Sequence, residues 1–198
     1  MNGNNIYELM DLIKPQLERI EAYIRDNERA RNLRPEIIER FLGLLLTDDE
    51  RARLLGLPNG CRIRETAKII CPEKLVCGEY LWIGEGAILD ASGGLEIGAH
   101  TTIGSYVLVW SHASYLANIK FMNQIGNSLI SRKPTKIGRG CFIGGPSVIY
   151  PGVTIMDRTV VLPMSVVTKN INEEKCIVGG VPARKLRDLS DEELSLMD

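Results

Sequence analysis

Nowhere does this chain of 198 residues carry an apolar run long enough to cross a bilayer; the stretch from Phe41 to Leu46 is far too short. It opens Met1-Asn-Gly-Asn-Asn, without a basic segment followed by an apolar one, so no cleaved leader is expected. Charge of one sign is lacking as well. Lys and Arg number 24 against 25 Asp and Glu, for a formal charge of -1, which gives no reason to invoke nucleic acid or a membrane surface as partner. The five cysteines (Cys61, Cys71, Cys77, Cys141 and Cys176) are odd in number and include no C-x-x-C pair. That argues against a disulfide framework or a zinc knuckle and leads us to expect a reducing, cytoplasmic setting. Histidine is scarcest of the chemically useful residues: there are only His100 and His112.

Residues 1–60 read as an N-terminal helical segment. Ile6, Met10, Ile13, Leu17, Ile20 and Ile24 recur at steps of three and four, a stripe that must pack on something. A second helix is expected from Pro35 through Ile37, Ile38, Phe41 and Leu45. A third is expected after Thr47-Asp-Asp-Glu50, which has capping-box spacing, and Leu57-Pro-Asn-Gly60 ends it in a turn.

From Cys71 the pattern changes. Aliphatic or cysteine residues recur every six positions at Cys71, Cys77, Ile83 and Leu89; after a two-residue slip at Ser92-Gly-Gly the series resumes at Ile97, Ile103 and Val109. A second series runs without a break through Ile137, Ile143, Ile149, Ile155, Val161 and Val167. Small or modest residues stand four positions later, among them Ala87, Thr101, Val107, Cys141, Ser147, Val153, Thr159 and Ser165. A period of six is neither helical nor a simple strand alternation. It describes one flat side of a triangular coil, three sides to a turn, with one aliphatic residue per side pointing inward. Glycine often follows the leading aliphatic, as at Gly84, Gly98, Gly104, Gly138 and Gly144, which suggests turns of positive φ. The expected fold class is therefore mainly β: a coil of hexapeptide repeats over 61–189, a helical segment before it, and a tail at 190–198.

The period breaks between Val109 and Ile137, where an insertion spanning 113–136 is expected to project as a loop. Such loops often carry function, and they are equally tolerated as decoration.

Three blocks, Ile143-Gly-Gly-Pro-Ser-Val-Ile-Tyr-Pro-Gly-Val-Thr-Ile, Ser165-Val-Val-Thr-Lys-Asn and Gly179-Gly-Val-Pro-Ala-Arg, resemble in order and spacing the hexapeptide-repeat acyltransferases, in particular the maltose, galactoside and capsular-polysaccharide O-acetyltransferase branch. The resemblance covers about Cys71 to Leu189. It implies a left-handed parallel β-helix, a homotrimer, and acetyl-CoA as co-substrate in a groove between subunits, with no metal. It also implies a catalytic role for His112 in Val107-Leu-Val-Trp-Ser-His112, just before the loop. A neutral imidazole, with an unperturbed pKa near 6.5, suits the removal of a hydroxyl proton at neutral pH. His100, in an ordinary repeat, reads as an exposed corner residue.

For the cofactor, the resemblance points to Gly144, Gly145 and Ser147 beside the pantetheine arm and to Lys169 and Arg184 near the phosphates; each cation reads equally as surface charge. Pro163-Met164 stands where many relatives have a small pair, and Met164 would narrow that groove. Many relatives place an Asn in the repeat around Leu81-Trp-Ile-Gly-Glu-Gly86; this chain has none, and Glu85 is either a substitute orienting carboxylate or a solvated turn residue. On the loop, Tyr115 and Phe121 offer faces for a sugar acceptor or anchors to a neighbouring subunit, and Trp110 either lines the site or packs at the trimer seam.

The expected function is O-acetylation of a hydroxyl on a sugar or surface-polysaccharide precursor, a choice that rests on family analogy. The alternatives are N-acetylation of an amino sugar, xenobiotic acetylation, and a non-catalytic trimeric scaffold whose helices bind a partner. A zinc-dependent carbonic anhydrase on this fold needs three histidines at each site. The N-terminal helices serve the acceptor side or cap the open end of the coil.

Overall fold

The computed structural model describes residues 4–23, 38, 41, 43–121 and 129–195. The chain divides into two compact units, Met1–Leu46 and Thr47–Asp198. In the first, helix α1 (Asn4–Tyr23) contains Pro15. Of its expected stripe, Ile13 and Leu17 are half-buried while Ile20 is exposed; the side chains of Ile6, Met10 and Ile24 lie outside the described residues, as does most of the expected second helix.

The second unit opens with helix α2 (Asp48–Leu54), where the Glu50 carboxylate accepts the Thr47 N–H at 2.9 Å, the glutamate half of the expected capping box. Ala52 is buried, and Leu55 and Leu57 pack against the β core. The buried Arg51 guanidinium donates to the Ile63 carbonyl. Grouped by composition with the N-terminal helices, α2 belongs instead to the β unit and covers its first coil.

The rest is a left-handed parallel β-helix with three faces. The first stacks β1 (Arg62–Ile63), β4 (Trp82–Ile83), β7 (Thr102–Ile103), β12 (Phe142–Ile143), β15 (Val160–Val161) and β17 (Cys176–Gly180), with β18 (Ala183–Asp188) returning antiparallel on β17. The second stacks β2 (Lys68–Ile70), β5 (Ile88–Asp90), β8 (Leu108–Val109), β13 (Val148–Ile149) and β16 (Val166–Val167). The third stacks β3 (Leu75–Cys77), β6 (Leu95–Ile97), β11 (Thr135–Ile137) and β14 (Thr154–Ile155), extended by a bridge from Ile155 to Ile171.

Register turns the period of six into three interior ladders. Ile63, Ile83, Ile103, Ile143, Val161 and Val178 lie over one another on the first face. Ile69, Leu89, Val109, Ile149 and Val167 do so on the second, and Cys77, Ile97, Ile137 and Ile155 on the third. Each buried aliphatic of this size contributes roughly 1.5–3 kcal/mol of transfer free energy. Cys71 is not a rung. It has φ 55° and precedes a 3-10 turn at Pro72–Lys74, and Ile69 takes its place in the ladder.

The small corner residues do more than fit a taper. Thr101, Thr135, Thr159, Ser147 and Ser165 are buried, and their hydroxyls bind turn carbonyls: Thr101 Oγ1 to Gly138 O at 2.8 Å, Ser165 Oγ to Leu162 O at 2.6 Å. Several also accept an amide of the next coil, as Thr101 does from Cys141 N at 3.2 Å and Ser165 from Gly180 N at 3.2 Å. Buried corner amides that no strand can satisfy are paired in this way.

The glycine expectation needs correction. Gly84, Gly98, Gly104, Gly138 and Gly144 do not have positive φ; the left-handed positions fall two residues later, at Gly86, His100, Tyr106 and Gly140 among others. Glycine follows the leading aliphatic because successive coils nearly touch there: a Cβ on Gly144 would lie 2.8 Å from the Val161 carbonyl oxygen.

Candidate active site

The longest departures from six residues occur along one edge, where the second face turns into the third. From Ile149 to Ile155 that turn takes six positions, whereas Ile69 to Cys77 and Leu89 to Ile97 each take eight, and Val109 to Ile137 takes 28. The two-residue slip at Ser92-Gly-Gly and the long insertion are therefore stacked neighbours.

The insertion leaves the coil as a two-stranded ribbon. Strand β9 (His112–Ala113) pairs antiparallel with β10 (Ser131–Arg132), with His112 opposite Arg132 and Ala113 opposite Ser131. By counting, His112 holds the repeat position of His100, but the two differ in structure. His100 sits at a left-handed corner with its ring stacked 4.9 Å from Tyr80, while the ribbon draws His112 out of the corner conformation. Beyond the ribbon, helix α3 (Tyr115–Ile119) buries Ala117 and exposes Tyr115, Leu116 and Ile119. Phe121 follows, 99% exposed.

His112 Nδ1 is 2.7 Å from Asp90 Oδ2 and 3.1 Å from Ser92 Oγ, both contributed by the coil below. Asp90 is fully buried at the end of β5. Burial pushes its carboxyl pKa up, but hydrogen bonds from Ser92, Ser111 and His112 outweigh this and hold it at about 2. Ser111 serves the same carboxylate twice, with its N–H at 2.8 Å and its hydroxyl at 3.0 Å, both to Oδ2. The hydroxyl also accepts the Gly93 N–H at 2.8 Å. Gly93 must be glycine, because a Cβ there would lie 2.1 Å from the Ser111 carbonyl oxygen.

The imidazole retains 30% of its side-chain surface, and among the described residues Nε2 has no hydrogen-bond partner. The Trp110 ring meets it edge-on at 6.2 Å and 87°. Aspartate, histidine and serine meet here, but not as a nucleophilic triad. Ser92 shares Nδ1 with Asp90, whereas an activated serine must face the opposite ring nitrogen. What remains is an imidazole with one buried, anchored nitrogen and one open nitrogen at the foot of a loop.

Other expected residues lie elsewhere. Glu85 sits at the edge between the first and second faces, where it accepts the Thr66 hydroxyl at 2.8 Å and lies 3.9 Å from Arg64; the carboxylate on His112 is Asp90 instead. Ser147 is buried and its hydroxyl is committed to the Gly144 and Leu162 carbonyls, so it presents no side chain to a ligand. Gly145 packs on the coil below, where a Cβ would come within 1.7 Å of Ser105 O. Met164, with φ 61°, is 70% exposed at that same edge. Lys169 and Arg184 are exposed and make no ion pair among the described residues, whereas neighbouring Lys185 is bridged to Glu173 and Asp188. Asp90 and Ser92 were missed because nothing in a hexapeptide count marks them. The available signal was the acidic residue directly after Leu89, just before the slip.

A family model for the bacterial transferase hexapeptide, six repeats long, matches residues 134–169. The repeat over these residues is that of the bacterial transferase hexapeptide. The hexapeptide-repeat acetyltransferase of Vibrio cholerae is 26% identical, with a TM-score of 0.56 over 84% of this chain and 96% of that one. Its complex with acetyl-CoA is also known, at a TM-score of 0.51. Galactoside O-acetyltransferase of Escherichia coli K12 is 43% identical over 58 residues, 29% of this chain and 28% of that protein's length. Protein CapG of Staphylococcus aureus is 33% identical over 101 residues, 46% of this chain and 58% of its own. The match thus spans less than two thirds of either relative. No described helix is long and apolar enough to cross a membrane.

Proposed function

We propose that this chain is an O-acetyltransferase that moves the acetyl group of acetyl-CoA to a hydroxyl of a sugar or surface-polysaccharide precursor, with His112 as general base. The observation that carries the reading is the anchored imidazole whose Nε2 is open at the foot of the projecting loop. In this mechanism Nε2 takes the acceptor proton as the hydroxyl oxygen bonds to the thioester carbonyl carbon. The tetrahedral intermediate collapses, the carbon–sulfur bond breaks, and the imidazolium returns its proton to the departing CoA sulfur. The transfer is direct, because Ser92 faces the wrong ring nitrogen to carry the acyl group.

The relatives named above support an acetyl donor and a sugar acceptor. Lys169 and Arg184, exposed and without an ion pair among the described residues, meet the CoA phosphates, and the backbone at Gly144 and Gly145 borders the pantetheine arm. Tyr115 and Trp110 line the acceptor side. Assembly as a homotrimer has support in the coil's outer surface. The second face carries Ile88, Leu108, Val148 and Val166 outward as an aliphatic column, while the third carries the ion-paired Glu96 and Lys136. An aliphatic column of this kind suits burial against another copy.

The test is thiol release from acetyl-CoA over a panel of sugars, comparing wild type with His112→Ala. Sugar-dependent release that falls about 10²-fold or more in the variant is expected. Failure of the wild type to bind CoA would sink the proposal.

A further inference from the structure

We infer that Asp90 is a positioning residue that holds His112 in one tautomer, with the proton on Nδ1 and the lone pair on Nε2. The argument is a count of donors. Asp90 Oδ1 receives the Ser92 N–H at 3.1 Å, and Oδ2 receives the N–H and the hydroxyl of Ser111 at 2.8 and 3.0 Å. A backbone N–H can only donate. The Ser111 oxygen already accepts from Gly93, which leaves its own hydrogen for the carboxylate. Three donors converge on a buried carboxylate, which favours the ionised form before the histidine is considered. An ionised carboxylate 2.7 Å from Nδ1 requires hydrogen on that nitrogen.

The fold builds this device in the coil below the ring. Burial along β5 runs from half-buried Ile88 to fully buried Leu89 and Asp90, so Asp90 turns into the edge instead of alternating outward. The slip that follows brings Ser92 Oγ to Nδ1 and the Gly93 amide to Ser111. Near the ring, the Lys74 ammonium reaches the Ser92 carbonyl at 3.4 Å and Arg132 lies opposite His112 on β10. Among the described residues Asp90 is the carboxylate in contact with the imidazole. In the transfer it also stabilises the imidazolium that forms when Nε2 takes the acceptor proton.

The kinetic part rests on the O-acetyltransferase reading; the tautomer does not. The experiment is a long-range nitrogen–proton correlation spectrum of the full chain labelled with ¹⁵N-histidine, with His100→Ala assigning the two rings. Wild-type His112 is expected as the Nδ1–H tautomer at a pH where the ring is neutral. Asp90→Ala is expected to convert it largely to the Nε2–H form that free imidazole side chains prefer, while Ser92→Ala keeps the wild-type form. In turnover, Asp90→Ala is expected to lower kcat by about 10²-fold or more with KM for acetyl-CoA within about twofold of wild type. An Nε2–H ring in the wild type, or an unchanged ring in Asp90→Ala, overturns the inference. If Asp90→Ala does not fold, the wild-type spectrum still decides. Should no acceptor turn over, the functional reading falls while the spectrum judges Asp90 alone.

Discussion

His112 and Asp90, 22 residues apart in sequence, meet at 2.7 Å because one coil of the helix brings the ends of β5 and β8 into register. The hydrogen bonds that Ser92, Ser111 and His112 give the Asp90 carboxylate make stability depend on acid. Asp90 has its pKa depressed from 3.8 to about 2, so its contribution is complete above pH 4 and is lost as pH falls through 2. A shift of this size corresponds to about 2 kcal/mol. The expected outcome is a melting temperature that drops between pH 4 and pH 2 more steeply in wild type than in Asp90→Asn. Parallel curves would show that the carboxylate is not the source.

Gly93→Ala changes no group that touches a substrate, yet its new Cβ would meet the Ser111 carbonyl oxygen at 2.1 Å. Overpacking of this kind costs roughly 1–3 kcal/mol. The corner must move, taking Ser92 and Ser111 from Asp90, so kcat is expected to fall while the rest of the coil stays folded. Steady-state kinetics beside circular dichroism would check both halves.

Adjacent residues of β12 should respond very differently to truncation. Ile143 is fully buried in the first-face ladder, and Phe142 beside it is 47% exposed. Ile143→Ala is expected to cost about 2–5 kcal/mol. Phe142→Ala should cost the chain itself under about 1 kcal/mol. Urea titrations at low protein concentration distinguish the two.

If the aliphatic column on the second face is buried between copies, a cation placed there must oppose assembly. Val148→Lys is expected to convert a trimeric wild type into a monomer in sedimentation, with the β signature intact. A wild type that sediments as a monomer would remove the proposed intersubunit groove.

The ladders were legible before any coordinates, because a triangular coil demands one inward aliphatic per side and the sequence repeats that demand from Ile83 to Val167. The loop was legible as a break in period, and His112 stood out through scarcity and through its place before that break. Cys71 was misread because a slip in the first coil shifts the phase by two residues, and only the pairing of β2 with β5 shows that Ile69 is the rung. The role of glycine was misread because close approach between coils is a distance, which a one-dimensional pattern does not contain.

Sequence alone therefore determined the coil, its interior and the position of its interruption, since these follow from local periodicity and side-chain volume. Tertiary structure alone decided that Asp90, Ser92 and Ser111 surround the imidazole, that Glu85 lies at another edge, and that the Ser147 hydroxyl is spent within the wall. Each of those facts depends on which residues of successive coils stack, and that register is set by the summed lengths of every intervening turn.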